Sequence, residues 1–512
     1  MVLKMNTRIK SLYGIVFYSL SSVVFAGIGG VDSYLSSFSV TQGDNLKFYA
    51  TSPDSTLNLR VMKYWLPSNA SFSERKMAEI SDITAYQQAV PTYGWRDGAN
   101  WSETYSLNTS GWASGIYEYA VYGPSGTDFG GFTVKSVNPG STSKILLLDH
   151  TPTNIAYNDW GGKSLYSADT EGFVSLYRPD QNKIPLHEVE FSRWATMNGI
   201  KLEYASMMDL ENDPSLLNNY NLVITAGHNE YWSKNMRTNF DNYIKDGGNA
   251  MILSGNTMWW QVRFEDDQMI GYKSAASRRD PMVGIDNSIV TDNWASDIVN
   301  SPENSSIGVS WRNGGYVNYS GGGGVLLADP NDPNNNNGGY TVTDASHWIY
   351  EGTGLKDGDI FGKSTTIVGY ETDGAVFFVD GNGNYVVTGE DGTPLNFEIL
   401  GVAATALPGN NFTGSGHATM GIFEPFEGGG AVFNAATVDW ADGLLFEHTS
   451  VANPLRGYTD PVVSRITLNL IDHLQYRNNL TIIPIPSAWA MFFPSITSLF
   501  LSMRRKKRNI YQ

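Results

Sequence analysis

Cysteine is absent from the 512 residues of this chain. The chain therefore has no disulfide bonds, no thiolate nucleophile and no metal site built on cysteine sulfur. Any chemistry that it performs must rely on oxygen and nitrogen side chains and on the ions that such side chains bind.

Basic residues are also scarce. The chain has 34 lysines and arginines against 51 aspartates and glutamates, which gives a formal net charge of −17. Eight of the basic residues lie at the two ends, at Lys4, Arg8, Lys10 and throughout residues 504–508, so the part between them carries −25. A body this acidic repels polyanions, which argues against nucleic acid as a partner.

The N-terminus has the pattern of a secretory signal peptide over residues 1–26. Its basic residues precede an apolar stretch at 12–24, and Val24-Phe25-Ala26 is a small-residue cleavage pattern. A membrane anchor is the alternative, but the apolar stretch is short for a bilayer span and is interrupted by serines. We expect the protein to be exported.

The C-terminus, residues 484–512, combines a Pro-rich signature that ends in Ala488-Trp489, an apolar segment at 490–503 and the basic run at 504–508. It resembles the PEP-CTERM sorting tail in its VPxP-A-W variant; an ordinary tail anchor is the alternative. The resemblance implies a Gram-negative bacterium that makes exopolysaccharide. An exosortase would remove the tail after transient anchoring by a transmembrane helix, which leaves the protein at the cell surface or in the matrix.

Residues 27–136 have the pattern of an antiparallel β-sandwich. Segments 45–50, 57–61 and 115–122 alternate apolar and polar residues and are separated by turn residues. The aromatic side chains of this unit could bind sugar, although aromatic residues in sandwiches usually lie in the core. Residues 136–143 have the composition of a linker.

The pattern changes from residue 144. Short apolar segments at 144–149, 201–205, 222–226 and 250–254 alternate with amphipathic helices, one at 187–198 and one opened by Ser233. This alternation predicts a doubly wound parallel α/β sheet. A short helix near 214–218 is expected as well. Beyond residue 265 we expect an elaborated α+β extension of the same domain, which ends with a helix at 462–476 and closes near residue 478.

One polar block follows a buried strand directly. Gly227-His228-Asn229-Glu230-Tyr231-Trp232 comes after the apolar run at 222–226. Ligands of open α/β sheets bind at the carboxyl ends of the strands, where these side chains are predicted to lie. The alternative is that the aromatic residues pack in the core and that His228 caps a carbonyl group. The block favours a functional site, most strongly at Glu230.

Several motifs together resemble the large subunit of N,N-dimethylformamidase and its relatives. They lie at residues 156–166, 227–233, 247–249, 254–257, 368–373 and 437–440, in the family's order, within residues 144–478. The resemblance implies a glutamine-amidotransferase-like α/β domain that carries one ferric ion (Fe3+) per chain, bound by two tyrosines and one glutamate. Hydrolysis of a small amide-type substrate is the implied activity.

Matching the motifs residue by residue implies Tyr157, Tyr166 and Glu230 as the metal ligands. His228 and Glu371 become the catalytic acid–base groups. The region that carries the two tyrosines varies in length among relatives. Tyr177 and Tyr231 are therefore the alternative tyrosine ligands to consider.

The residues support this arrangement on physical grounds too. The loops that follow strands 144–149 and 222–226 leave the same edge of the predicted sheet, so Tyr157, Tyr166, His228 and Glu230 can converge. Two phenolates and a carboxylate are hard, negatively charged donors that suit a trivalent iron. With no cysteine available, metal-activated water is the expected route to C–N hydrolysis.

A second class of function stays open. A protein sorted to an exopolysaccharide layer could keep this fold as a catalytically silent binding or structural surface protein. The sequence also leaves the substrate, a small partner subunit and a homo-oligomeric state undecided.

We predict that the mature protein lacks residues 1–26 and, in a host with an exosortase, also the segment after residue 487. Intact-mass analysis of the purified mature protein measures both losses. A chain from such a host that still carries residues 504–508 would contradict the sorting-tail interpretation.

Overall fold

The computed structural model describes residues 30–64, 75–167, 171–180, 186–316, 338–406, 415–444 and 459–477. The predicted signal peptide and sorting tail lie outside these ranges. The chain up to Gln475 forms one compact unit, and a second unit begins at Tyr476. Among the described helices, none is both long enough and apolar enough to cross a bilayer.

The N-terminal part consists of two β-sheets. Its strands are β1 Asp32–Leu35, β2 Ser39–Thr41, β3 Asn45–Thr51, β4 Thr56–Lys63, β5 Lys76–Thr84, β6 Glu103–Asn108, β7 Gly115–Gly123 and β8 Gly126–Lys135, with a short helix α1 at Gly94–Asp97. One sheet has the order β1-β3-β6 and the other β2-β8-β7-β4-β5. Every pairing is antiparallel except β2 with β8.

Alternation explains how these sheets pack. Leu46 and Phe48 of β3 are buried, whereas Lys47 between them is exposed. The two buried residues join Leu59 of β4 and Tyr119 of β7 in one hydrophobic core, and the rings of Phe48 and Tyr119 meet edge to face at 5.2 Å. The prediction of N-terminal antiparallel sheets is confirmed.

An α/β layer structure follows. Its elements are β9 Ile145–Leu148, α2 Thr151–Tyr157, β10 Phe173–Ser175, α3 Leu186–Met197, β11 Glu203–Ala205, α4 Met207–Asn212, a 3-10 turn at Leu216–Asn219, β12 Leu222–His228, β13 Tyr231–Ser233, α5 Lys234–Lys245 and β14 Asn249–Gly255. Strands β11, β9, β12 and β14 are neighbours and run parallel. Helix α5 begins at the predicted cap, where the Ser233 hydroxyl accepts a hydrogen bond from the Met236 amide at 3.0 Å.

The described elements after β14 extend this sheet and form smaller sheets. The elements are β15 Trp260–Glu265, β16 Gln268–Ile270, α6 Ala276–Arg279, α7 Asn304–Ile307, β17 Ser310–Gly315, β18 Tyr340–Val342, β19 Ile360–Phe361, β20 Thr372–Gly374, β21 Phe377–Val379, β22 Tyr385–Val387, β23 Glu398–Ala406, β24 Ser415–Phe423, β25 Val432–Asn434 and α8 Pro461–Leu474, with 3-10 turns at Lys273–Ala275, Asn287–Ile289, Trp348–Tyr350 and Val438–Leu444.

The largest sheet has nine strands in the order β11-β9-β12-β14-β25-β24-β23-β18-β19. Strand β25 continues the parallel half, and the pairings beyond it are antiparallel. The fold is therefore mixed α/β, with one large sheet that is parallel from β11 to β25 and antiparallel from β25 to β19. Its relation to glutamine amidotransferases stays a prediction.

Both faces of the parallel half are buried, which explains its uninterrupted apolar strands. Leu222 and Ile224 face a core that includes Trp194 of α3. The residue between them, Val223, faces the opposite core together with Phe240 of α5. Helices on both faces agree with the prediction of a doubly wound sheet.

Two predicted helices differ in their bounds. The helix expected near residues 214–218 is displaced, because Ser206 and Asp209 form a capping box that starts α4 earlier, and only a 3-10 turn follows. The last helix begins at Pro461 after the Asp460 cap and ends at Leu474, two residues before the predicted end.

The predicted linker at 136–143 is tied to the α/β sheet by Glu203. Its buried carboxylate accepts hydrogen bonds from the Gly140 amide (2.8 Å), the Thr142 amide (2.8 Å) and hydroxyl, and the Tyr220 hydroxyl (2.8 Å). Burial by itself would raise the pKa of Glu203, but these hydrogen bonds outweigh it and the pKa is lowered. Both sides of the linker lie in the same compact unit, and the domain boundaries stay a prediction.

We predict that Glu203→Gln lowers the free energy of unfolding by about 3 kcal/mol, because several buried donors lose a charged acceptor. Urea denaturation measures the loss, with Glu103→Gln as the matched control, since Glu103 forms only an exposed ion pair with Lys47. A lowered pKa stabilises the fold above the unfolded-state pKa and stops doing so as the pH falls through the folded-state value. The difference between wild type and variant should therefore shrink toward acid pH. Equal stability of the two at neutral pH would refute the assignment.

Candidate functional site

The predicted site residues lie where the topology places the carboxyl ends of the parallel strands. Tyr157 is the last residue of α2, which follows β9, and Tyr166 lies in the next loop. His228 ends β12, and Glu230 follows it two residues later. Glu371 comes directly before β20, from a distant part of the chain. The structure brings all five residues together.

Three oxygen donors meet at the centre of the site. The Tyr166 hydroxyl donates a hydrogen bond to Glu230 Oε1 at 2.9 Å. The Tyr157 hydroxyl lies 2.8 Å from the Tyr166 hydroxyl and 3.0 Å from Glu230 Oε2. The two phenol rings stack with their centroids 4.3 Å apart. The backbone of Glu230 is also fixed, because its amide donates a hydrogen bond to the Thr153 hydroxyl at 3.0 Å.

The predicted acid–base pair lies against this centre. His228 Nε2 is 2.6 Å from Glu371 Oε2 and 3.6 Å from Glu230 Oε2. The first contact is a short ion pair between the imidazole and the Glu371 carboxylate. His228 thus links the two buried carboxylates.

Three further residues complete the site and were not predicted. Asn256 donates to Glu371 Oε2 at 3.2 Å, and the Tyr316 hydroxyl donates to Glu371 Oε1 at 2.9 Å. Lys273 Nζ donates to the Tyr231 hydroxyl at 3.0 Å and lies 3.5 Å from the centre of the Tyr166 ring. Asn256 belongs to a motif that the sequence did reveal, at the end of β14, whereas Tyr316 and Lys273 have no local sequence signal.

The two substitute tyrosines occupy different places. Tyr231 is fully buried and points its hydroxyl at Lys273, and its ring meets the Tyr157 ring edge to face at 6.4 Å. Tyr177 instead stacks on Phe38 with centroids 6.4 Å apart. Tyr157 and Tyr166 are therefore the phenols whose oxygens contact Glu230.

Burial sets the protonation of the three oxygen donors. It raises the pKa of Tyr157 and of Tyr166 well above the ordinary phenol value, and the charge of Glu230 adds to the shift. Burial also raises the pKa of Glu230 itself, against the opposing effect of His228. In the absence of a cation both phenols are therefore protonated and donate their protons within the cluster.

In the acid–base pair the shifts in pKa favour the charged forms of both side chains. Burial alone would raise the pKa of Glu371, but His228 and hydrogen bonds from Asn256 and Tyr316 outweigh it, and the pKa is lowered. Burial alone would lower the pKa of His228, but Glu371 and Glu230 raise it. Burial lowers the pKa of Lys273 to about 8. The pair is thus charged, with Lys273 as a further cation beside it.

Aromatic rings continue from the site toward the surface. His228 and Tyr370 lie 6.2 Å apart, Tyr370 and Tyr316 5.7 Å, and Tyr316 and Trp311 6.0 Å. Trp311 and Trp259 follow at 5.3 Å, and both indoles are partly exposed. A substrate that reaches the carboxylates along this side therefore meets flat apolar faces.

A second ionisable group lies next to this site. His187 and Glu190, both half-buried on α3, and the buried Asp442 each offer one ligand atom, and these atoms lie within 4.8 Å of one another. The group could hold a metal ion. The sequence analysis did not predict this group, and the His187-x-x-Glu190 spacing on a predicted helix is the local signal that could have indicated it.

The backbones around the site approach one another closely at Gly255, the last residue of β14. A Cβ atom there would lie 2.4 Å from the carbonyl oxygen of Glu371 and 2.6 Å from the amide nitrogen of Val438. Only glycine lets the segment that carries Glu371 lie against the end of the sheet.

Comparisons with known proteins identify a family for most of the chain. Residues 68–453 match the sequence model of a family described as N,N-dimethylformamidase beta subunit-like, C-terminal. The match begins upstream of the segment in which the motifs were recognised and includes every site residue described above.

Two curated relatives match over shorter segments. The N,N-dimethylformamidase beta subunit of Paracoccus aminophilus is 31% identical over 121 residues, and that of an Alcaligenes species is 28% identical over 124 residues. These segments cover 20% and 21% of this chain and only 16% of each relative's own length.

Two solved structures resemble a fifth of the chain. The human B7-H4 IgV-like domain has a TM-score of 0.13 and 12% identity, with 21% of this chain and 96% of that chain covered. The sulfur carrier protein SoxY from Chlorobium limicola f thiosulfatophilum has a TM-score of 0.12 and 10% identity, with 21% and 79% covered. Similarity this low carries no argument about function.

We predict that Gly255→Ala destabilises the protein by about 3 kcal/mol, because a methyl group there pushes against two backbone segments that cannot both move. The matched control is Gly381→Ala, where a Cβ atom meets nothing within 4 Å. It should change stability by less than about 0.5 kcal/mol. Urea denaturation compares the two, and equal stability of both variants would show that the packing at Gly255 is not tight.

Proposed function

This chain belongs to the N,N-dimethylformamidase beta subunit-like family, and we propose that it is a metal-dependent hydrolase of amide-type C–N bonds with one ferric ion per chain. The observation that carries the proposal is the contact of two phenol oxygens with the carboxylate of Glu230. The activity named for the two curated relatives supports the reaction class.

The donor atoms fit such an ion. The oxygens of Tyr157, Tyr166 and Glu230 lie 2.8 to 3.1 Å from one another. Ligands about 2.0 Å from a small cation and at right angles are about 2.8 Å apart. Two phenolates and one carboxylate would hold a trivalent hard ion and match its charge. Without the ion both phenols are protonated, so its binding would release their protons.

The bound ion would act as a Lewis acid toward the substrate carbonyl and as an orienting charge. The remaining work falls to the side chains next to it. The chain has no cysteine nucleophile, and we propose water in its place, so that a base must take one of the water protons. Glu371 is suited to this, since Asn256 and Tyr316 hold its carboxylate in place.

The proton transfers balance within the His228–Glu371 pair. As the water oxygen bonds to the carbonyl carbon, one water proton passes to Glu371. His228 donates its proton to the leaving nitrogen when the C–N bond breaks. The 2.6 Å contact between the two side chains then lets Glu371 return a proton to His228.

Lys273 supports the ligands rather than the proton transfers. Its ammonium lies 3.5 Å from the Tyr166 ring centre and 3.0 Å from the Tyr231 hydroxyl. A cation in this position lowers the cost of a phenolate at Tyr166. The aromatic rings at Tyr370, Tyr316 and Trp311 would exclude water around a small amide.

Location and partners are part of the same proposal. Export, surface sorting by an exosortase and an association with exopolysaccharide follow from the terminal motifs, and a small amide-type compound is the proposed substrate. The curated relatives are named for their action on N,N-dimethylformamide. Because this chain matches only 16% of each relative's length, that compound is not carried over as its substrate.

We predict that the purified protein contains one iron per chain and is coloured by a tyrosinate-to-iron charge-transfer band. Tyr166→Phe and Glu230→Gln should each bleach the band and lose most of the iron, because each removes a charged donor. Tyr177→Phe is the matched control, since its ring packs on Phe38, and it should keep the colour. Visible absorption with elemental analysis measures both quantities.

His228→Ala separates binding from catalysis. It should keep the iron and the colour but lose at least about a hundredfold in turnover, because a proton donor is removed and a metal ligand is not. Amine release from a panel of small N-alkyl amides that begins with dimethylformamide measures turnover. A wild-type protein that stays colourless and iron-free after refolding with ferric ion would overturn the proposal in favour of a silent binding or structural protein.

A further inference from the structure

We infer that His187, Glu190 and Asp442 form a second metal site, separate from Tyr157, Tyr166 and Glu230, which takes a divalent first-row ion such as Mn2+. It does not depend on the proposed hydrolase activity.

The geometry of the group is that of a site made by two rigid elements. His187 and Glu190 lie three residues apart in the first turns of α3, so their side chains share one face of the helix. Asp442 comes from the 3-10 segment Val438–Leu444, which packs against α3. The ligand atoms lie within 4.8 Å of one another. Ligands about 2.1 Å from one ion span at most roughly 4.2 Å, so small side-chain movements close the site.

Carboxylates surround the imidazole of this group. Asp439 Oδ1 lies 3.7 Å from His187 Nε2, and Glu190 and Asp442 also lie close to the same ring. An ion that binds here would take the place of the His187 proton, because a ligating imidazole must be neutral.

The types of donor atom limit which ions the site would bind. One imidazole with two carboxylates favours first-row ions such as Mn2+, Fe2+ or Zn2+ over Ca2+ and Mg2+, which prefer oxygen alone. The chain offers no thiolate, which soft ions such as Cu+ prefer. Mn2+ is the suitable probe because it is directly observable by electron paramagnetic resonance.

The position of the group suggests its role. A Cβ atom at Gly227 would lie 2.9 Å from His187 Nδ1, so the imidazole packs behind the backbone that carries His228. Asp439 Oδ2 accepts a hydrogen bond from the Tyr370 amide at 2.7 Å, one residue before Glu371. An ion at His187 would therefore hold α3 and the Val438–Leu444 segment together next to both segments that bring the acid–base pair into place.

The test uses the full-length protein with Tyr166→Phe, which removes a proposed ferric ligand. After chelator treatment and dialysis, Mn2+ is added and bound metal is measured by equilibrium dialysis and electron paramagnetic resonance. One Mn2+ per chain should bind, and it should raise the melting temperature. Adding Glu190→Gln should weaken binding more than tenfold and abolish the thermal shift. Adding Glu398→Gln, whose side chain is 67% exposed, should leave both unchanged.

His187→Gln is the second variant if Glu190→Gln fails to fold, and it should weaken Mn2+ binding to a similar extent. Absence of Mn2+ binding, or binding that survives both substitutions, overturns the inference and leaves the group as an ion-pair cluster. Loss of the ferric ion in wild type would leave this result unchanged, so the two sites are tested separately.

Discussion

The site depends on one constraint, which is the burial of the Glu230 carboxylate at the end of a parallel strand. Glu230 is only 1% exposed, and a buried carboxylate needs hydrogen-bond donors and positive charge nearby. Two phenols, one imidazole and the ammonium of Lys273 supply them. A cation at the oxygen donors would replace the phenol protons and place a further positive charge beside this carboxylate.

The fold meets this constraint with its topology. The loops after β9 and β12 emerge at the same edge of the sheet because their strands are parallel neighbours. Glu371 lies in the extension, directly before β20, and its segment can lie against the sheet because Gly255 has no side chain. Asp439 then holds the Tyr370 amide and so fixes the approach of the Glu371 segment. Catalytic geometry and close backbone packing are therefore linked in this protein.

Local patterns predicted the parallel strands, the Ser233 cap and the strand-end block with His228 and Glu230. These predictions were correct because hydrophobic periodicity, helix capping and the position of a residue at the end of a strand are properties of short segments. The predicted helix began at Pro214, whereas α4 begins at Met207. The Ser206–Asp209 capping box is a local signal for this earlier start that the prediction did not use. Tyr316 and Lys273 could not be predicted, because Tyr316 reaches Glu371 across 55 positions in the sequence and Lys273 reaches Tyr231 across 42. The pairing of His187 with Asp442 likewise depends on how α3 packs.

The central claim is that the Tyr157, Tyr166 and Glu230 oxygens bind one ferric ion. Resonance Raman spectroscopy of the iron-loaded protein tests it most directly, because excitation in a tyrosinate-to-iron band enhances only the vibrations of phenolates bonded to the metal. The account predicts enhanced tyrosinate ring modes in wild type that weaken in Tyr166→Phe and persist in Tyr177→Phe. Iron-loaded protein whose spectrum shows no tyrosinate modes, or modes that are unchanged in Tyr166→Phe, would contradict it.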